Sequence, residues 1–208
     1  MSDQVLNLSK GEAILDLTKK SGAPLKKVIL ELFWKPDGLK KPFDLDASAL
    51  LANADLANPR DYGSMVSTNH VCFYNQPVTP YIKHLKGDNQ NGESAEGEAD
   101  EIMELDLEGA SGVANVLPTF ITISKWKERN QTFEDVTDPH VIVRDADTNE
   151  ILAKADLRSL DQGSTGAIFV VFKKQANGSW SLENVSKGFA GKDLADFLGL
   201  YNVQAQYK

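Results

Sequence analysis

Six carboxylate side chains lie within residues 87–101, GDNQNGESAEGEADE, and no lysine or arginine lies among them. Neighbouring carboxylates about 6 Å apart repel each other by roughly 0.7 kcal/mol in water, and by more in a partly dehydrated pocket. Folding this segment against the protein therefore requires raised pKa values or a counter-ion. The segment is either a solvated, disordered loop or a loop that a hard cation organises.

The same segment offers the ligands that calcium prefers, which are six to eight oxygen atoms from carboxylates, amides and backbone carbonyls in an irregular geometry. Three glycines, Gly87, Gly92 and Gly97, permit tight turns that direct carbonyl groups inward. Because the segment has no histidine or cysteine, its donors favour Ca²⁺ or Mg²⁺ over transition metals. The oxygen donors available are Asp88, Asn89, Asn91, Glu93, Glu98, Asp100 and Glu101.

A second acidic feature occurs earlier in the chain, in PFDLDASALL (42–51). The alternation of a β-strand places Asp44 and Asp46 on one face, and Phe43, Leu45 and Ala47 on the other. The two acids are either solvated groups on a half-exposed edge or a pair of fixed ligands that meets the acidic loop.

An EF-hand is excluded at either acidic stretch. The loop from Asp88 has Gln90 and Gly92 at the third and fifth ligand positions. The stretch DADTNE (145–150) matches the first three ligand positions, but Glu150 stands where the motif requires glycine. We interpret this second stretch as a hairpin turn between strands.

Charge and cysteine content limit the classes of function. The chain has 30 acidic and 22 basic residues among 208, a formal net charge of −8. Nine acids lie in residues 87–108, and the remainder has 21 acids against 22 bases, so the acidity belongs to one segment and argues against a nucleic-acid-binding face there. The single cysteine, Cys72, excludes a disulfide framework and a thiolate zinc site. Its apolar neighbours indicate a small buried hydrophobe.

Neither a secretory leader pattern nor an apolar run of about 18 residues is found, so we expect a cytoplasmic protein with no membrane span. The chain length fits a single domain covering residues 1–208.

Alternation with a period of two residues dominates the chain, and it predicts an all-β protein, an antiparallel β-sandwich closed by one short amphipathic helix near the C-terminus. The strand at 26–34 is apolar on both faces, which predicts that it is covered on both sides. The helix is predicted at 191–201, GKDLADFLGLY, and a hairpin at Asn177–Gly178. The predicted strands are residues 12–18, 26–34, 101–108, 119–126, 140–146, 150–157, 166–174 and 179–189.

Several segments in a fixed order resemble the TerD-like tellurium-resistance and general stress proteins of bacteria and their phages. The resemblance spans residues 6–201, and no single motif carries it. The segments are LNLSKGEAILDL, FDLDASALL, FYNQ, GDNQNGESAEGEADEIMELDL, TISKWKERNQTFEDV, RDADTNEILAKADL and KGFAGKDLADFLGLY.

The resemblance implies two related sheets and calcium bound between the acidic loop and the DLD strand. It also implies a cytoplasmic, non-catalytic protein that acts in resistance to tellurite, chemical damage or phage. The ligand residues that it implies are Asp44, Asp46, Asp88, Asn89, Gly92, Glu93, Glu98, Asp100 and Glu101.

The chain departs from the family pattern at three places. Gln90 and Asn91 follow GDN where the family has Arg and Thr, two extra residues occur around Ala95 and Glu96, and Lys192 interrupts a glycine pair. The extra residues leave the register of Glu98 to Glu101 open.

Catalysis is not indicated. His70 and Cys72 share one face of a predicted strand and could in principle form a nucleophile–base pair, but such a pair is more often a core position and its neighbour near a strand end. The chain has no glycine-rich phosphate loop and no GxSxG elbow. The sequence therefore predicts a calcium-dependent binding module with a protein partner, the alternative being a metal-independent interaction or structural module. KWKER (125–129) is interpreted as a solvated turn, with docking to an acidic partner as the alternative.

Overall fold

The computed structural model of the chain describes residues 6–7, 14–16, 24–36, 42–58 and 61–201. Within these ranges the chain is mostly β-strand, with three short α-helices, α1 (Leu107–Ala110), α2 (Trp126–Arg129) and α3 (Leu194–Leu200). The strands are β1 (Leu6–Asn7), β2 (Ile14–Asp16), β3 (Lys27–Lys35), β4 (Leu45–Leu50), β5 (Ala52–Asn53), β6 (Ser64–Met65), β7 (Val71–Cys72), β8 (Ile82–His84), β9 (Glu101–Asp106), β10 (Val116–Ile123), β11 (Thr137–Asp145), β12 (Ile151–Asp156), β13 (Ser164–Lys174) and β14 (Trp180–Ala190).

The strands form two sheets. The first sheet has the order β1-β12-β11-β3-β9-β8, and the second has the order β2-β14-β13-β10-β4-β7, with β5 joined to β10 and to β6. All neighbouring strands are antiparallel except β1 and β12, which are parallel. One hydrophobic core lies between the sheets and draws residues from both. The predicted antiparallel β-sandwich is confirmed.

Strand β3 lies at the centre of the first sheet and shows how the core is filled. Its inward residues, including Leu30 and Leu32, are fully buried, as the alternation predicts. Its outward residues Ile29 and Phe33 are only half-buried, so the prediction that this strand is covered on both sides is wrong. Phe33 instead stacks on the His140 ring at 4.6 Å, which shields part of its apolar surface.

The outer face of the second sheet is partly covered by α3, and a second apolar cluster lies beneath the helix. Phe120 from β10 stacks on Phe197 at 5.3 Å and meets Tyr201 edge-on at 5.8 Å. The helix begins after Asp193, whose carboxylate accepts a hydrogen bond from the Asp196 N–H. The predicted C-terminal helix is confirmed, and none of the described helices is long and apolar enough to cross a membrane.

The arrangement of β4 positions the candidate site. On one side β4 pairs with β10 along residues 45–49, but on the other side it pairs with β7 only at Ala49 and Leu50. Among the described residues, 45–48 therefore have no strand partner on that side, and we call this stretch the free edge of β4. The acidic loop, residues 87–100, has no helix or strand of its own and returns the chain from β8 to β9 across this edge.

Candidate metal centre

Three carboxylates meet at the free edge of β4. The side chains of Asp44, Asp46 and Asp88 each place an oxygen within 4.8 Å of the others, and we call these residues the acid cluster. Asp44 immediately precedes β4 and Asp46 lies within it; the two side chains are only 6% and 8% exposed. Asp88 comes from the acidic loop and is exposed. Two buried residues, one just before β4 and one within it, therefore converge with one residue of the acidic loop.

The electrostatics of the acid cluster disfavour three free carboxylates. Burial raises the pKa of Asp46 to about 7, and the charges of Asp44 and Asp88 add to this effect. Burial and the Asp88 charge also raise the pKa of Asp44, although a hydrogen bond with the Ser124 side chain and the cations of Arg129 and Lys125 act against the rise. The cluster is therefore most stable when it is protonated or when a cation compensates its charge.

The donor set fits a divalent cation. One carboxylate oxygen of Asp44, Oδ1, is buried and has no hydrogen-bond partner. Within the described part of the chain, no lysine, arginine or histidine forms an ion pair with any of the three acids. A buried carboxylate oxygen without a partner is costly. Oxygen-only ligands of this kind are those of Ca²⁺ or Mg²⁺, so Asp44, Asp46 and Asp88 are the residues that would hold the ion.

Glu101 joins the two sheets beside the acid cluster. It is the first residue of β9, it is 2% exposed, and its Oε2 accepts a hydrogen bond from the Ala47 N–H at 2.6 Å. Burial raises its pKa well above the usual range, and the charges of the three cluster acids raise it further. Glu101 thus satisfies one donor of the free β4 edge and adds a fourth carboxylate to the same electrostatic field.

Asp100 fixes the acidic loop to β3. Its Oδ2 accepts from the Trp34 N–H at 2.9 Å, and its Oδ1 accepts from the Asn89 side-chain amide at 2.9 Å and from the Ser94 N–H at 3.2 Å. Its own N–H donates to the Leu32 carbonyl at 2.9 Å. Both carboxylate oxygens thus accept hydrogen bonds from protein donors, and these contacts are those of a positioning residue.

Asn89 organises the turn that follows Asp88. Its Oδ1 accepts from the backbone N–H groups of Asn91 and Gly92, and its Nδ2 also donates to Ser94 Oγ at 3.1 Å. This is the turn chemistry expected of an Asx residue. The amide oxygen of Asn89 is therefore used within the loop.

Gly92 lies against the indole of Trp34. Its backbone is left-handed, with φ of 71°, and a Cβ at this position would come within 2.5 Å of Trp34 Cδ1. Trp34 in turn donates from Nε1 to the Phe43 carbonyl at 3.1 Å, next to Asp44. Glycine is required here because any side chain would push the loop away from β3 and from the acid cluster.

Two of the predicted ligands lie outside the acid cluster. Glu93 and Glu98 are exposed, and the Glu98 carboxylate is 3.8 Å from the Lys86 ammonium, which also donates to the Ala99 carbonyl. Of the nine predicted ligands, only Asp44, Asp46 and Asp88 are among the described carboxylates that group within 4.8 Å. Ligation by the other six, Asn89, Gly92, Glu93, Glu98, Asp100 and Glu101, stays a prediction.

Several residues of the site have no role in the sequence-based prediction. Ser48 follows Asp46 by two positions on the same strand face, so the alternation that selects the two acids extends to it. Ser124 donates its N–H to the Asp44 carbonyl at 2.8 Å, and Arg129 holds the Pro42 carbonyl at 2.6 Å. These last contacts join segments about 80 residues apart, and no local pattern reveals them.

The surroundings of Cys72 and His70 do not support the nucleophile–base pair that the sequence leaves as a possibility. Cys72 is fully buried, its Sγ lies 3.4 Å from the Pro77 carbonyl, and burial raises its pKa to about 12. His70 belongs to a short 3-10 helix and stacks on Tyr81 at 5.9 Å. The interpretation of Cys72 as a buried hydrophobe agrees with this environment, because a thiol with so high a pKa is a poor nucleophile.

The fold and the candidate site together describe a β-sandwich protein with an acidic loop folded over the free edge of a strand. The TerD domain family matches residues 5–201. The chain belongs to the TerD family of tellurium-resistance and general stress proteins.

Curated relatives match almost the whole chain. It is 32% identical over 204 residues to general stress protein 16U of Bacillus subtilis, covering 96% of this chain and 98% of the relative. It is 29% identical over 209 residues to the tellurium resistance protein TerD of an Alcaligenes species, covering 97% and 96%.

A solved structure agrees with the fold. The crystal structure of a homologue of telluride resistance protein (TerD) from Streptomyces coelicolor A3(2) has a TM-score of 0.67, with 23% identity over 84% of this chain and 95% of that chain. At this identity the likeness supports the fold alone.

Proposed function

We propose that the chain is a calcium-binding, non-catalytic module of the stress response, and that it acts in the cytoplasm. The observation that carries this proposal is the acid cluster, in which two carboxylates less than a tenth exposed and a third from the loop converge with no cationic side chain paired to them in the described structure. A bound divalent ion would supply positive charge at this point and coordinate the carboxylate oxygens.

The ion would link the loop to the sandwich. Asp88 is the cluster member contributed by the acidic loop, whereas Asp44 and Asp46 lie just before and within β4. Binding would therefore add a connection between loop and sheet to the hydrogen bonds that Asp100 already makes. The outer surface of the loop, which includes Glu93, would then present a fixed shape to a protein partner.

A non-catalytic role agrees with the surroundings of the candidate nucleophile. The Cys72 thiol is buried and hydrogen-bonded to the Pro77 carbonyl, and His70 stacks on the Tyr81 ring. The proposal therefore assigns the acid cluster to binding and gives it no part in turnover.

The second candidate is a metal-independent interaction module. The observation that favours it is the set of protein hydrogen bonds through which Asn89 and Asp100 hold the loop without any ion. In that case the acidic loop would be a preformed contact surface, and divalent ions would leave its conformation unchanged.

Calorimetric titration with CaCl₂, combined with thermal unfolding in calcium and in chelator, separates the two candidates. Calcium at a hundred times its dissociation constant should stabilise the protein by about 2.7 kcal/mol. For a chain of this size, that raises the melting temperature by roughly 5 to 10 °C. The same titration with MgCl₂ shows which ion the cluster prefers.

The double variant Asp44→Asn with Asp88→Asn should lose both the calcium heat and the thermal shift. The matched control is Glu104→Gln with Glu108→Gln, which removes the same charge from the same acidic run at positions that pair with lysines. Calcium binding that persists undiminished in the first variant would show that the ligands are wrong. An unchanged midpoint in the unaltered protein would favour the metal-independent module.

A further inference from the structure

A groove of about 530 Å³ opens on the outer face of the second sheet, directly beside the acid cluster. It lies between α3, the segment 122–128 and the loop that carries Phe73 and Tyr74. Its volume falls within the range of small-molecule sites in proteins.

The groove exists because α3 covers only one end of this face. Residues facing outward from β4 and β10 pair across the sheet, Phe120 with Ser48 and Thr122 with Asp46. The helix packs on Phe120, whereas Asp46, Ser48 and Thr122 line the groove. The polar end of the sheet face is thus the floor of the groove.

Ser48 is the observation that points to a ligand. Its side chain is 1% exposed, and its hydroxyl oxygen is buried with no hydrogen-bond partner. A buried hydroxyl is normally hydrogen-bonded, because leaving it unpaired costs on the order of 1 to 3 kcal/mol. Since Ser48 lines the groove, a ligand oxygen placed there would satisfy it.

The walls of the groove are aromatic and aliphatic. Tyr74 is 54% exposed, Trp126 is half-buried, and Leu194 and Leu198 face the groove from α3. An exposed tyrosine and a half-buried tryptophan that line one groove give a planar apolar molecule two rings against which to pack.

Two lysines, Lys125 and Lys127, and two acids, Glu128 and Asp193, line the rim of the groove, so an anion is favoured beside the lysines once the acid cluster holds a cation. Lys125 and Lys127 are exposed and, within the described residues, neither forms an ion pair. The Asp193 carboxylate, also in the groove, is engaged in capping α3. A divalent ion would offset most of the negative charge of the acid cluster, to which the groove residue Asp46 also belongs.

We propose that this groove binds a small aromatic molecule that carries a carboxylate or a phosphate. The anionic oxygens lie toward Ser48, Lys125 and Lys127, and the apolar body packs against Tyr74 and Trp126. The inference rests on the proposed cation site for the charge balance at Asp46, so the ligand binds more tightly to the calcium-loaded protein than to the chelated protein.

The test uses the indole N–H resonance of Trp126, recorded by heteronuclear NMR in the full chain with saturating calcium. The two other tryptophans, Trp34 and Trp180, donate their indole N–H groups to Phe43 and Ser111 and serve as internal references. The probes are 1-naphthyl phosphate, 1-naphthoate and the neutral 1-naphthalenemethanol. We expect a saturable shift of the Trp126 signal with at least one anionic probe, and at least tenfold weaker binding of the neutral probe. The two anionic arms distinguish phosphate from carboxylate.

Variants assign the contacts. Lys125→Gln with Lys127→Gln should weaken the anionic probe at least tenfold, and Ser48→Ala about fivefold. The matched control, Lys154→Gln with Lys187→Gln, removes the same charge from exposed positions outside the groove and should leave binding unchanged. Tyr74→Ala, at an exposed position where folding is not at risk, should weaken all three probes.

Two results would overturn the groove proposal. One is a Trp126 signal that does not respond to either anionic probe at about 10 mM, while calorimetry shows that calcium is bound. The other is equal binding of the neutral and anionic probes. Failure of the cation site gives a different pattern, since calcium heat is then absent and the affinity of the anionic probe is the same with calcium and with chelator.

Discussion

Two parts of one acidic run meet opposite surroundings in the folded protein. At the loop end, Asp88 faces Asp44 and Asp46 with no ion-paired lysine or arginine among the described residues. On strand β9, Glu104 lies between Lys27 at 3.2 Å and Lys83 at 3.1 Å. The acids of the cluster therefore face one another, whereas Glu104 faces two lysines.

The pKa values follow these neighbours. Burial raises the pKa of Asp46 to about 7. Burial acts in the same direction on Glu104, but hydrogen bonds from Lys83 and Lys27 outweigh it and leave its pKa below the usual value. The lysines come from β8 and β3, the strands on either side of β9. The role of an acid in a charged run therefore depends on the strands that flank it in the sheet.

The largest expected effect is the pH dependence of stability in chelator. Because the folded pKa of Asp46 is raised to about 7 while the unfolded value stays near 3.8, the native state binds more protons between these two values. The free energy of unfolding therefore falls as pH rises from about 4 to about 7 and levels off above, by at most about 4 kcal/mol from this residue. Urea unfolding at a series of pH values measures the slope.

Asp46→Asn should flatten this slope and should be more stable than the unaltered protein in chelator above pH 7. Saturating calcium provides the control. Because the ion binds ionised carboxylates, it should reduce the loss of stability that ionisation of Asp46 causes in chelator. Identical slopes in the variant and the unaltered protein would mean that Asp46 is not the group that titrates.

The next effect concerns the attachment of the loop to β3. Asp100→Ala leaves the Trp34 N–H, the Ser94 N–H and the Asn89 amide without their acceptor. We expect a loss of about 3 kcal/mol in urea unfolding, since buried donors without partners are costly. Glu98→Ala is the control in the same loop, and its exposed side chain predicts a change within about 0.5 kcal/mol. Equal effects of the two substitutions would contradict the positioning role of Asp100.

The smallest effect on stability is expected at Glu104, whose charge is paired with two lysines. Glu104→Gln weakens contacts with Lys27 and Lys83 at the surface of the first sheet. Exposed ion pairs contribute little, so stability should fall by no more than about 1 kcal/mol, and less in high salt. Calcium titration of this variant should match the unaltered protein. A loss of calcium binding in this variant would place the ion on β9. It would then contradict the distinction between the acid cluster and the paired Glu104.

The sequence predicts the elements of this site better than their contacts. Alternation places Asp44 and Asp46 on one face of a strand, with Leu45 and Ala47 turned into the core, and the structure has this arrangement. Alternation along β9 likewise turns Met103 and Leu105 inward. These predictions succeed because a strand has a period of two residues, which is visible in a short stretch of sequence.

The contacts between distant segments could not be predicted in the same way. Gly92 packs on Trp34, and Asp100 accepts from the Trp34 backbone, yet these residues lie nearly sixty positions or more apart in the chain. Composition cannot distinguish the positioning residue Asp100 from Asp88, because both are acids in the same loop. Only the packing of the loop on β3 separates them. The prediction of a single domain over residues 1–208 stays a prediction.

The hydrogen bond from the Ala47 N–H to Glu101 has a consequence beyond the binding site. Unpaired backbone groups on a sheet edge are a template on which a strand of another molecule can add. Here the Glu101 side chain, from the opposite sheet, occupies the edge of β4 beyond β7. The His84 ring also forms a hydrogen bond with the Ala47 backbone. A carboxylate placed here therefore leaves one fewer free backbone donor on which a strand of another molecule could add.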